Sequence, residues 1–112
     1  MDSTQSILWR RTDAPGHDAC TVWPEGRGWR IHGAAVFWSE RGVTHLKYEI
    51  HCNASWQTLR ASVQGMVGDR EVDHRIRRTA SGIWTLGHIA QPQLANCTDL
   101  DLGFTPATNT IA

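Results

Sequence analysis

The residues with the greatest capacity for chemistry crowd into one stretch, NCTDLDLGFTPATNT, which occupies positions 96–110 of a 112-residue chain. Asp99 and Asp101 stand two apart, so an extended backbone turns both carboxylates to the same side. Such a pair could serve general acid/base chemistry, a divalent cation or the hydroxyls of a sugar. The plainer reading is an exposed strand face or a strand end. Thr105 and Asn109 follow around a proline-bearing turn. Side chains of these types either contact a ligand or cap the backbone. No G-x-S-x-G elbow, readable Cys–His pairing or phosphate-binding glycine loop accompanies them.

Six histidines and three cysteines raise the question of a metal. The densest cluster is His45, His51 and Cys52, but His45 and His51 are separated by roughly 20 Å of extended chain. Tetrahedral zinc requires ligands converging to about 2.0–2.3 Å from one ion. C-x-x-C and H-x-x-x-H are both absent, so neither a metal nor any other cofactor is expected. An odd cysteine count without paired spacing makes no disulfide framework, and Cys20, Cys52 and Cys97 read as buried free thiols.

The six tryptophans each bring on the order of 200 Å2 of surface to bury. Core packing is their default role. Trp9, Trp29, Trp38 and Trp84 are also candidates for the apolar wall of a lipid or sugar site. Trp29 and Trp38 are nine residues apart, which places them on opposite faces of one strand, one of them free to line a cavity.

Eleven basic and eleven acidic residues give zero net charge and a pI near 7.0. That balance excludes general affinity for nucleic acid or acidic membranes, which needs a basic excess. Arg70, Arg75, Arg77 and Arg78 form the one basic run. Asp69, Glu71 and Asp73 interrupt it, so it reads as a solvated strand face rather than an anion site. The N-terminal MDSTQSILWRR lacks the charge and apolar regions of a secretory signal. No run approaches the roughly 18 apolar residues of a membrane span. A soluble cytoplasmic protein of one domain, residues 1–112, is expected.

The elements that must hold these residues are strands. Alternation, not helical periodicity, dominates the chain. In VTHLKYEIHC (43–52) Leu46, Tyr48, Ile50 and Cys52 face one way; His45, Lys47, Glu49 and His51 face the other. In QTLRASVQGMV (57–67) Leu59, Ala61, Val63, Gly65 and Val67 share a face. WRIHGAAVFW (29–38) is apolar on both faces, as a central strand or cavity wall would be, and its Gly33 could allow a bend or bulge. ACTVW, EVDHRIRR (71–78) and IWTL read as further strands. EGRG, SERG, NASW, Gly68-Asp69 and TASG supply the turns between them. LANCTDLDL suffices for one helical turn at most. The pattern predicts an all-β antiparallel meander forming a curved sheet or partial barrel.

Three pieces carry a family resemblance: LWRR (8–11), LKYEIHCNASWQTLRASV, and the NCTDLDLGFTPATNT stretch. Tyr48, Ile50, Asn53 and Trp56 match a "Y-x-(V/I)-x-x-(D/N)-x-x-W" pattern. Cys97, Asp99, Leu100, Asp101, Leu102, Thr105, Pro106, Thr108, Asn109 and Thr110 match a second, longer signature. With these the sequence resembles the bacterial putative glycolipid-binding family along essentially the whole chain. The resemblance implies a cytoplasmic, all-β, non-catalytic protein whose broad curved sheet is likened to the lipoprotein-carrier fold, with a strand opening the chain at Trp9. It also implies that the fold continues beyond the signature, so this chain is expected to be the N-terminal portion of a larger fold, with self-association through an exposed sheet edge. The function expected is lipid or glycolipid binding, with the tryptophans as apolar wall and Asp99, Asp101, Thr105 and Asn109 as polar contacts. The alternative is a structural or protein-interaction domain in which these residues only lock the fold. Hydrolysis by the two aspartates is a third reading.

Overall fold

The computed structural model describes residues 4–97 together with Leu102 and Phe104. Eight strands follow in chain order: β1 (Gln5–Arg10), β2 (Gly16–Glu25), β3 (Gly28–Ser39), β4 (Gly42–Cys52), β5 (Thr58–Val67), β6 (Arg70–Arg78), β7 (Trp84–Leu86) and β8 (Ile89–Ala90). Each pairs antiparallel with its sequence neighbour, giving one curved, unclosed sheet in the order β1 to β8. A short 3-10 turn, Pro92–Leu94, is the one helical element among the described residues. The molecule measures 40 × 39 × 18 Å, as one broad layer should.

Two-residue turns join the long strands at Gly26-Arg27, Glu40-Arg41 and Gly68-Asp69. Gly26 and Gly68 take left-handed φ values of 60° and 61°, a conformation glycine adopts without steric cost. At Gly68 a side chain would also strike the Arg41 carbonyl.

The alternation in β4 is realised residue for residue. Leu46, Tyr48, Ile50 and Cys52 are buried on one face with Cys20, Ile31, Ala61 and Val63, while His45 and Lys47 are exposed on the other. Trp9, Val22, Trp29, Trp56, Val67, Val72 and Ile76 pack around this core, as do Leu102 and Phe104.

Four expectations need correction. In β5 the predicted face holds for Ala61, Val63 and Val67, but Leu59 is exposed and Thr58 is buried. The register shifts between His51 and Cys52, whose partners are Arg60 and Thr58, so Leu59 is the extra residue of a bulge that reverses alternation at the strand's start. Gly33 is no bulge: its register in β3 is unbroken. A Cβ there would collide with the Tyr48 hydroxyl and ring and lie 2.6 Å from the Ala19 carbonyl oxygen, so the glycine makes room for a tyrosine crossing the sheet. Strand β2 extends beyond ACTVW at both ends because β3 pairs with its full length, while β1 pairs with residues 17–22. Among the cysteines, Cys20 and Cys52 are buried thiols but Cys97 is exposed.

Candidate functional site

The sheet presents two chemically different faces, each carrying a concavity. On the core face, Val63 and Val67 of β5, Val72 and Ile76 of β6, and Leu86 of β7 enclose an apolar groove of about 310 Å3 with Leu46, Leu102 and Phe104. The β5 and β6 positions are valine or isoleucine, whose β-branched shape suits a pleated surface. His74 is the one polar side chain lining it among the described residues. It is exposed and stands opposite Val63.

Beside the groove lies a buried polar pair. Tyr48 Oη donates to Asp18 Oδ1 at 2.8 Å, and Asp18 is 1% exposed. The other carboxylate oxygen, Oδ2, is buried and has no hydrogen-bond partner among the described residues. Tyr48 springs from β4, passes over Gly33 of β3 and reaches Asp18 on β2. Its ring meets that of Phe104 edge-on, with centroids 5.8 Å apart. Burial pushes the Cys20 thiol above its ordinary range; the Asp18 charge adds to that, and Tyr48 hydrogen bonding opposes it.

Arg11 ties Phe104 to this face. Its Nη1 donates to the Phe104 carbonyl at 2.7 Å, its guanidinium lies 4.1 Å from the Phe37 ring centroid, and its remaining N–H groups grip Asp13. The hydrogen bond from Arg11 holds the Asp13 carboxyl below its usual range.

The predicted tryptophans divide between roles. Trp9 is half-buried on the core face opposite Asp18. Trp29 stacks on Trp56, with centroids 4.6 Å apart and planes inclined by 11°. Trp84 is 4% exposed and donates through Nε1 to the Cys97 carbonyl at 3.0 Å. Trp38 is 58% exposed and faces the opposite side of β3 from Trp29. None of these four lines the groove, whose wall is aliphatic apart from His74 and Phe104. Asp99, Asp101, Thr105 and Asn109 lie outside the described residues. Their neighbours Leu102 and Phe104 line the groove.

The polar face carries a wider concavity of about 850 Å3 whose lining includes Glu25, Arg30, Glu49, His51, Arg60, Arg75 and Arg77. Sequence reasoning registered Arg75 and Arg77 only as a local run. Pairing across β5 and β6 is what adds Arg60. The aliphatic groove also went unread, because its members come from β4 to β7 and are ordinary core residues in any one strand. No group of three potential metal ligands converges among the described residues. No described helix is long and apolar enough to cross a membrane.

Neither a curated protein nor a solved structure gives a significant match to the chain. One family model does, over residues 6–112, and its description is "Putative glycolipid-binding". With the match extending from the opening strand through the aspartate signature, the chain belongs to the putative glycolipid-binding family.

Proposed function

We propose that this protein binds an amphiphilic lipid without transforming it, taking an acyl or alkyl chain into the apolar groove of the core face. The observation that carries the reading is the groove itself, about 310 Å3 walled by Val63, Val67, Val72, Ile76, Leu86 and Phe104. That volume is at the lower end of small-molecule sites and suits a single chain. Transfer of each methylene from water contributes up to about 0.8 kcal/mol, so two carbons fewer weaken binding by up to about 15-fold. Family membership supports a glycolipid as the amphiphile. Leu102 and Phe104 connect the groove to the signature stretch, so Asp99, Asp101, Thr105 and Asn109 are the residues proposed to meet the sugar hydroxyls. No tryptophan lines this groove.

The test is titration with a monomeric alkyl glycoside, comparing the native chain with a Val72→Trp variant that fills the groove. Binding at least 10-fold weaker in the variant, with the melting temperature within a few degrees, is the expected result. Equal affinity would refute the groove as the site.

A second reading has an observation of its own. Arg11 binds the Phe104 carbonyl and Phe104 packs against Tyr48, so the signature could serve only to fasten the chain across the core. An Asp99→Asn, Asp101→Asn double variant separates the two. Lost stability with intact glycoside binding favours the structural role; lost binding with intact stability favours recognition.

A further inference from the structure

A single cross-strand row runs over the polar face from β3 to β7. Arg30 stands opposite His51, His51 opposite Arg60, Arg60 opposite Arg77, and Arg77 opposite Thr85. At the β3 end the positive charge is compensated. Arg30 Nε lies 3.5 Å from Glu25 Oε2, Arg30 Nη1 lies 3.6 Å from Glu49 Oε1, and the guanidinium sits 4.0 Å from the Trp23 ring centroid. His51 is held between the same two carboxylates, at 3.4 and 3.1 Å.

The other end has no such compensation among the described residues. Among the described residues, neither Arg60 nor Arg77 has a carboxylate oxygen within 4.0 Å. Arg75, which stands opposite Ser62 beside them, is only 4.0 Å from Asp73. Directly opposed residues in an antiparallel pair have Cβ atoms roughly 5 Å apart, and like charges so placed destabilise the sheet. An anion between the two guanidinium groups reverses the sign of that interaction. Both arginines line the 850 Å3 concavity that also contains Glu49 and His51.

We infer that this concavity is a binding site for a phosphoryl group carried on a polyol. Arg60 and Arg77 supply planar, multiply donating cations matched to phosphoryl oxygens. Glu25 and Glu49 have lone pairs beyond those used by Arg30 and His51, and these accept hydrogen bonds from hydroxyls on the same molecule. The site lies on the opposite face of the sheet from the acyl groove, so it stands or falls separately from lipid binding.

Calorimetric titration of the full chain with glucose 6-phosphate, inorganic phosphate and glucose tests the assignment. Both phosphates should bind saturably, and glucose should not. The Arg60→Gln, Arg77→Gln double variant should bind glucose 6-phosphate at least 10-fold more weakly while melting no lower than the native chain. Arg77→Glu, which converts the repelling pair into an attracting one, should lose the phosphates and melt higher. Co-sedimentation with phosphatidylglycerol vesicles, against phosphatidylcholine vesicles, shows whether a lipid head group is the source of the phosphoryl group. Lack of phosphate binding by the native chain, or equal binding by the double variant, would overturn the proposal.

Discussion

Tyr48 delivers its hydroxyl to a carboxylate two strands away, and both groups are almost wholly removed from water. A buried carboxylate with one oxygen unpartnered among the described residues leans heavily on the donor it has. Tyr48→Phe should therefore cost about 2 kcal/mol in urea unfolding, and adding Asp18→Val should return much of it, since an unpaired group harms more than an absent pair. Gly33→Ala should be at least as damaging, in the range of about 1–3 kcal/mol for an overpacked core, because the new methyl meets both the tyrosine and the rigid Ala19 carbonyl. A Tyr48→Phe variant as stable as the native chain would show that the pair contributes nothing. None of this was visible along the sequence. Alternation placed Tyr48 inward correctly, but it carries no information on what an inward tyrosine meets two strands over. Asp18, as a charged residue, was not read as core.

The NASW turn between β4 and β5 gives structural work to two residues of one sequence pattern, Asn53 and Trp56. Asn53 Oδ1 accepts from the Ser55 and Gln57 backbone amides at 2.9 and 3.0 Å, fixing the turn. Trp56 then adopts a left-handed φ of 64°, rare for a bulky residue, and is held there by its stack on Trp29. Directly afterwards comes the Leu59 bulge, which restores the pleat so that Ala61 and Val63 face the core. Asn53→Ala should cost about 1–2 kcal/mol by thermal or urea unfolding, since two amides lose their acceptor. No measurable change would mean that water replaces the side chain freely. Turn positions and strand identities were legible, because glycine, asparagine and alternation report local conformation directly. The bulge was not, because one extra residue leaves composition and flanking periodicity intact. Strand β8 was too short to carry a pattern at all.

On the scale of the whole molecule, a sheet with eight strands in sequence order has two edges, and neither β1 nor β8 pairs with the other among the described residues. Strand β1 exposes Ile7 at 44% and Leu8 at 71% beside that edge. An edge left unpaired by the described residues, next to exposed apolar side chains, invites strand addition by a second copy. Light scattering after size exclusion should show concentration-dependent association that Leu8→Lys reduces; a monomer at every concentration would contradict this. The meander and its all-β class follow from the order of alternating segments. The groove does not, since it arises only when residues from four strands and two from the signature stretch converge. That convergence is the centre of the functional account, and amide NMR reads it most directly. Uniformly 15N-labelled chain is titrated with an alkyl glycoside below its micelle concentration. Saturable shifts centred on Val63, Val72, Ile76 and Leu86, strengthening with alkyl length, are the predicted result. Absent shifts, or shifts confined to other strands and indifferent to chain length, would contradict it.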